Sequence, residues 1–254
     1  MIRSILDEYA PISLTEMSDV RLMNRIDTKY TTSLSLLPEF LKGLQADYFV
    51  QEIDGRRVGA YRTMYLDTPD RKMYLDHHNG RYTRMKIRVR AYLDSQMIFL
   101  EIKNKNNKGR TKKKRIQLPE MDGYDCKAAE RFLAEYAKYP LENLIPCQEN
   151  CFLRTTLVNK QKTERLTIDV NLSFRNLSDG TEVHLDDLAI IELKQNGRLS
   201  SPAKSRLADL HIYPVSISKY CLGTILTVSE VKNNRFKAKM IQLNKIRKET
   251  YGFI

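Results

Sequence analysis

Polar and apolar residues alternate with a period of two along several stretches of the chain, and that spacing predicts a fold built mainly of β-strands. The sharpest stretch sets Arg84, Lys86, Arg88 and Arg90 between Met85, Ile87 and Val89. In a strand this puts four cations on one face and three apolar side chains on the other. Four further runs repeat the alternation. Arg25, Asp27 and Lys29 flank Ile26 and Thr28, and Glu101 and Lys103 flank Ile102. Arg165, Thr167 and Asp169 alternate with Leu166 and Ile168, and Glu192 and Lys194 with Ile191 and Leu193.

The remaining pattern places elements around these strands. Ser13 and Glu16 have capping-box spacing before an apolar stripe of Leu14, Met17, Val20 and Leu22, which predicts a short helix. A strand over 24–31 and a helix over about 36–45 follow, then two strands around the Asp54-Gly55 turn. The second of these runs through Ala60, Arg62 and Met64 and is ended by the stretch containing Pro69. His77 and His78 stand beside the turn at Gly80 and read as surface residues. The run 95–103 predicts a strand, with 111–118 as its hairpin partner, sending Lys113 and Arg115 inward and Lys112 and Lys114 to solvent. A helix over about 127–139 is expected, capped by Asp125 and stopped by Pro140. Extended runs cover 150–158, 164–170 and 189–194. Ser200 or Ser201 is expected to cap a short helix at Pro202, and Ser216 another near Ile217. The last thirty residues read as a basic, loosely patterned strand and helix on the outside or a partly ordered tail.

No linker or low-complexity tract divides the 254 residues, so a single domain over 1–254 is expected. Lys and Arg number 43 against 31 Asp and Glu, a net charge of +12 that favours a polyanionic partner. Cys126, Cys147, Cys151 and Cys221 follow neither metal-ligand nor disulfide spacing and read as reduced thiols. No signal peptide or long apolar run stands out, which leads to an expected cytoplasmic location, with docking on a separate membrane protein still open.

An ordinary half-exposed sheet would alternate in the same way. A solvated face, however, usually mixes neutral polar residues and scattered signs, and here the inner charges recur strand after strand. Both faces are satisfied if the sheet closes on itself, with the charged side lining an aqueous lumen and the apolar side covered by helices. The expected fold is therefore α+β: a closed antiparallel eight-stranded β-tunnel with a basic, hydrophilic lumen and peripheral helices. Glu192, with Glu101 and Asp169 as further candidates, offers hard oxygen ligands for Mg²⁺ or Mn²⁺, and structural ion pairing is the alternative reading of these acids. There is no phosphate-cradling glycine loop, and Lys112 to Arg115 lack the aromatic platform of a single-strand nucleic-acid site.

Taken in order, several short motifs resemble the VTC domain, the catalytic domain of polyphosphate polymerases within the triphosphate tunnel metalloenzymes. They run from Asn24 to Tyr30, Tyr65 to Thr68, Lys86 to Arg88, Phe99 to Lys103, Arg165 to Asp169, Ile191 to Lys194 and Ser218 to Tyr220, so the resemblance spans a core of about 17–222 and leaves a basic extension over about 227–254. It implies a tunnel that binds ATP and polyphosphate and moves the γ-phosphate of ATP onto a growing chain. By motif, Lys29, Arg88, Lys103, Arg165 and Lys219 would hold phosphates, with Lys86, Lys113 and Arg154 as neighbours and Glu192 as the metal ligand. Lys86, Arg88 and Arg165 are assigned to the transferred phosphoryl, Arg62 and Arg115 join the phosphate-binding set, and Arg25, Asp27, Arg84, Arg90, Glu101, Asp169 and Lys194 are lumen or support residues. Relatives of this fold carry Glu-x-Glu-x-Lys on the first strand, whereas this chain has Arg25, Asp27 and Lys29. The change weakens a two-metal hydrolytic mechanism. Triphosphate hydrolysis and non-catalytic polyphosphate binding remain the rival readings.

Overall fold

The computed structural model describes residues 1–17, 25–197 and 199–251, with side chains for all of these except 248–251. Eleven strands form one sheet. They are β1 (Pro11–Ile12), β2 (Arg25–Ser33), β3 (Tyr48–Gln51), β4 (Gly59–Asp67), β5 (Arg84–Tyr92), β6 (Met97–Lys105), β7 (Thr111–Leu118), β8 (Ile145–Asn159), β9 (Glu164–Asn176), β10 (Glu182–Leu185) and β11 (Leu188–Asn196). The helices are α1 (Ile2–Asp7), α2 (Leu14–Met17), α3 (Leu37–Lys42), α4 (Lys72–His78), α5 (Lys127–Tyr136), α6 (Pro202–Asp209), α7 (Lys219–Thr227) and α8 (Lys237–Tyr251). Among the described residues no helix is long and apolar enough to cross a membrane.

The main antiparallel path runs β2-β11-β9-β8-β4-β5-β6-β7. It has the expected eight strands, but the expected closure is corrected: β2 and β7 are the two ends of the path, and among the described residues no ladder joins them. The sheet is nevertheless strongly curled. β11 and β6 lie five ladder steps apart, about 24 Å if the sheet were flat. Glu192 of β11 is still near enough to Lys103 on β6 to offset part of the lowering that Arg88 and burial impose on it, and Lys29 of β2 adds to the lowering that burial imposes on Lys86 of β5. Charges so far apart on a flat sheet would be screened from one another, so the two ends must face each other across the concave side.

Two apolar layers cover the convex side. Leu157, Leu166, Ile168, Ile191 and Leu193 pack beneath α1, α3 and α6, whose contributions include Leu6, Phe40 and Leu207. Ile87, Val89, Leu100 and Ile102 pack with Phe132 and Leu133 of α5. The alternation predicted for these strands therefore sorts apolar residues outward and charged residues inward.

One end of the concave face departs from that scheme. Asn171, at φ +51°, sits in a bulge where two residues of β9 oppose one of β8. The bulge shifts the alternation, so Leu172 and Phe174 continue on the side that carries Asp169. With Phe152, Leu188 and Ile190 they form an apolar floor, covered by Leu222 of α7 and Leu243 of α8. The C-terminal residues thus form a helix packed into the inner side, held also by Arg247 to Asp187 at 3.0 Å, rather than an outer tail.

Several local expectations are corrected. β3 and β4 do not pair with each other, because both add to the long strand β8. Asp125 lies in a short 3-10 turn; Cys126 precedes α5 without a side-chain cap. Ser201 caps α6 through Lys204 N at 3.2 Å, and Ser218, not Ser216, caps α7. The Ser13–Glu16 capping box forms, with Ser13 N donating to Glu16 Oε2 at 2.8 Å; Val20, Leu22 and Asn24 lie outside the described residues. α4 was not expected. Asp67 organises it, accepting from Met73 N and Tyr74 N at 2.9 Å each and from the Tyr220 hydroxyl at 2.5 Å, which ties β4, α4 and α7 together.

Candidate active site

Cross-strand register brings the predicted cations together. Lys86, Lys103 and Lys113 are direct neighbours across β5, β6 and β7, and Arg88, Glu101 and Arg115 form the next row. On the opposite wall Lys29, Glu192 and Thr167 share a row, beside Asp27, Lys194 and Arg165. Ser218 and Lys219, at the start of α7, reach in between: Lys86 Nζ donates to Ser218 Oγ at 2.7 Å, and Lys219 pairs with Asp169.

Three acids are each held between two cations. Arg88 donates twice to Glu101 Oε2, at 2.8 and 2.6 Å, and Lys113 takes the other oxygen. Arg154 grips both oxygens of Asp169 at 2.6 and 2.7 Å, with Lys219 on the same carboxylate. Glu192 meets Lys29 at 2.7 Å and Lys194. Burial alone would raise these carboxyls, but their cations outweigh it: Arg154 and Lys219 hold Asp169 below the usual range, and Lys194 and Lys29 hold Glu192 well below it.

Glu101 makes the energetic consequence testable. Burial raises its pKa, but Arg88, Arg90 and Lys113 bring it from 4.5 down to about 2. A folded value below the unfolded one stabilises the protein above pH 4.5, and that contribution is lost as the pH falls toward 2. The shift corresponds to about 3 kcal/mol. Glu101→Gln is therefore expected to flatten the acid limb of stability over this interval, measured as urea midpoints against pH; an unchanged limb would contradict the pairing.

Other cations have no acid partner among the described residues. Arg165 leaves Nε buried and unbonded, and Lys103 makes no ion pair. Arg88, burial and Arg90 depress the Lys103 ammonium well below its ordinary value. Burial, then Arg88 and Arg154, brings Arg90 down to about 10; it keeps a 3.1 Å bond to Thr63 and lies 5.7 Å from the rings of Tyr61 and Phe152. This crowding of like charge on the inner face makes a strongly positive local field, which attracts anions.

The remaining predicted residues fall at the edges. Arg25 and Asp27 pair with each other at 2.6 Å on the exposed start of β2. Arg115 is exposed, stacked 4.4 Å over Phe99, and Arg84 is half-buried. Arg62 is a correction: it projects from the convex face, 47% exposed, and pairs with Glu149 at 2.6 Å. Its strand presents Tyr61, Thr63 and Tyr65 inward instead. Arg62 was misplaced because β4 carries no inner charge to set its phase, although its neighbours Met64 and Leu66 mark the outer face. The histidine expectation is also corrected: His78 is buried and His77 half-buried against Phe236. Tyr65, noted in the sequence only as the start of a motif, was given no place in the site. It is buried across from Arg88, and although burial raises its phenol pKa, Arg88, Arg90, Lys86 and Lys219 bring it below the ordinary value.

For a divalent metal the donor chemistry is limited. Among the described residues no three His, Cys, Asp or Glu side chains converge. Glu192 supplies hard oxygens on the inner face, but Lys29 and Lys194 each take one of them, so the protein fits an ion held by this one carboxylate only where the ion displaces an ammonium and the substrate's phosphates complete its shell.

Compared with known proteins, residues 24–228 match the model of the VTC domain. The chain belongs to the VTC domain family. No curated protein matches it. Among solved structures it is similar to a candidate adenylate cyclase from Vibrio parahaemolyticus, 14% identical over 80% of this chain and 99% of that one, with a TM-score of 0.47. It is also similar to a candidate adenylyl cyclase from Hippeastrum described as having a dominant triphosphatase activity, 11% identical over 81% of this chain and 98% of that one, with a TM-score of 0.47. The family match covers every motif of this VTC domain noted in the sequence, from the start of β2 to the end of α7.

Proposed function

We propose that this VTC domain is a cytoplasmic polyphosphate polymerase that transfers the γ-phosphate of ATP to a growing polyphosphate chain. The observation that carries the reading is the state of the acids: Glu101, Asp169 and Glu192 are each spanned by two cations. Hydrolysis needs water made nucleophilic, and a carboxylate so held is a poor general base. A terminal phosphate oxygen is already an anion and needs no base.

The residues then act by alignment and charge neutralisation, which is most of what phosphoryl transfer requires. Lys86, Arg88 and Arg165 would surround the transferred phosphoryl, and Lys103 beside Lys86 would hold its neighbour. Lys29 on one wall and Lys219 on α7 would orient the leaving ADP and the incoming chain, with Arg154 fixing Asp169 so that Lys219 keeps its direction. A Mg²⁺ or Mn²⁺ ion on Glu192 would withdraw charge from bridging phosphate oxygens.

The test is to incubate the protein with ATP and Mn²⁺, with and without a short polyphosphate primer, and to resolve the products by gel. Polyphosphate chains appearing with stoichiometric ADP are expected. ADP with only orthophosphate would make the domain a hydrolase, and no turnover with retained polyphosphate binding would make it a binding module.

A further inference from the structure

Outside the three acid-centred groups lies a second cluster of cations, in which no carboxylate takes part. Arg84 of β5 stands opposite Lys105 of β6 in the ladder, Lys239 of α8 and His77 of α4 pack against the same Phe236 ring, and Lys86, two residues from Arg84 on the same face, connects the group to the inner site; all four cations act on the His77 imidazole. All five side chains are half-buried, and among the described residues none makes an ion pair with an acid. Their polar contacts are few: Arg84 donates to the Arg81 carbonyl at 3.1 Å, Lys86 to Ser218, and Lys239 lies 5.4 Å from the Phe236 ring. His77 Nδ1 is buried without a hydrogen-bond partner. Burial, and then Lys86, Arg84, Lys239 and Lys105, lowers the imidazole pKa to about 2. Three elements, β5, β6 and α8, have thus brought cations from different parts of the chain to the neutral imidazole of α4 and left them without an acid.

Resting on the polymerase reading above, we propose that Arg84, Lys105, Lys239 and His77 form a second polyanion subsite, which holds the units of an inorganic polyphosphate chain that extend past the triphosphate. The cluster is continuous with the inner site through Lys86, so one linear polyanion can touch both. Lys105 ends β6, and the hairpin loop that follows it carries the exposed Lys108 and Arg110. The subsite would make affinity grow with chain length, which a pocket for triphosphate alone does not do.

The test compares calorimetric binding of tripolyphosphate and of long-chain polyphosphate to the whole protein and to Lys105→Gln/Lys239→Gln. The double variant is expected to bind tripolyphosphate within about twofold of the parent and long-chain polyphosphate about tenfold more weakly, with a salt slope shallower by about 1.4 for two lost phosphate contacts. Lys105→Arg/Lys239→Arg is expected to retain long-chain binding, which separates loss of charge from loss of fold. The His77 ring signals, followed by NMR, are expected to shift when long-chain polyphosphate binds and to stay in place with tripolyphosphate. Equal affinity of the Gln variant and parent for the long chain would overturn the subsite. So would a matching loss of tripolyphosphate binding, or single-stranded RNA competing as strongly as polyphosphate. If the parent protein does not bind tripolyphosphate at all, the failure lies with the polymerase reading; if it does and chain length has no effect, only the subsite fails.

Discussion

Arg88→Ala is expected to slow phosphoryl transfer from ATP by about 10²–10³-fold, the usual cost of removing one preorganised donor from a site of developing charge. The residue is only 8% exposed, so the same change leaves Glu101, which is fully buried, without its bidentate partner. Breaking one side of such a pair costs about 3 kcal/mol or more in stability. The two effects separate in Arg88→Met/Glu101→Gln, which removes the stranded charge: stability is expected to return to within about 1 kcal/mol of the parent, while transfer stays lost. Initial rates of ADP release and urea unfolding on the same samples check this. A double variant that recovers activity along with stability would show that Arg88 serves the fold alone.

The second large effect is expected at Gly223, which sits in α7 against the apolar floor. A Cβ there would fall 2.0 Å from Gln148 Nε2 and 2.5 Å from Phe174 Cδ1. The Gln148 amide can swing away, but Phe174 is fully buried in the inner cluster and cannot. Helix propensity alone would reward Gly→Ala by about 1 kcal/mol; overpacking of this kind costs about 1–3 kcal/mol and decides the sign. Gly223→Val, with two more carbons to place, is expected to lower Tm by about 4–8 °C. Because Ser218 and Lys219 begin the same helix, it is also expected to weaken tripolyphosphate binding. A stabilised Gly223→Ala would mean that α7 does not seat against Phe174.

Much of this arrangement was legible in the sequence, because strand alternation is a local rule. The cation faces of β2, β5, β6, β9 and β11, the apolar layers behind them and the pairing of β6 with β7 all follow from a period of two. What was not legible depends on breaks in that rule or on partners distant in the chain. The bulge at Asn171 shifts the phase of β9, so a strand expected to end at 170 instead carries Leu172 and Phe174 onto the inner face. Arg62 was placed inward because Tyr61 and Tyr65 bear no charge to announce the true phase of β4. Lys194 meets Glu192 from two residues along the same strand, but the other cations around Glu101, Asp169 and Glu192 come from neighbouring strands or from α7, and there only the register and the packing of α7 decide which cation meets which acid. The helix at 237–251 has a weak apolar stripe, and nothing in its sequence shows that Leu243 lies over β9 and β11.

The central claim is that the inward cations converge on a single phosphate chain, and a crystal structure with bound tripolyphosphate tests it most directly. The phosphates are expected between Arg88, Lys86 and Lys103 on one wall and Arg165 and Lys29 on the other, with Lys219 of α7 within hydrogen-bonding distance. Tripolyphosphate bound on the convex face, beside Arg62 or along Lys112 and Lys114, with the inner cations untouched, would contradict it.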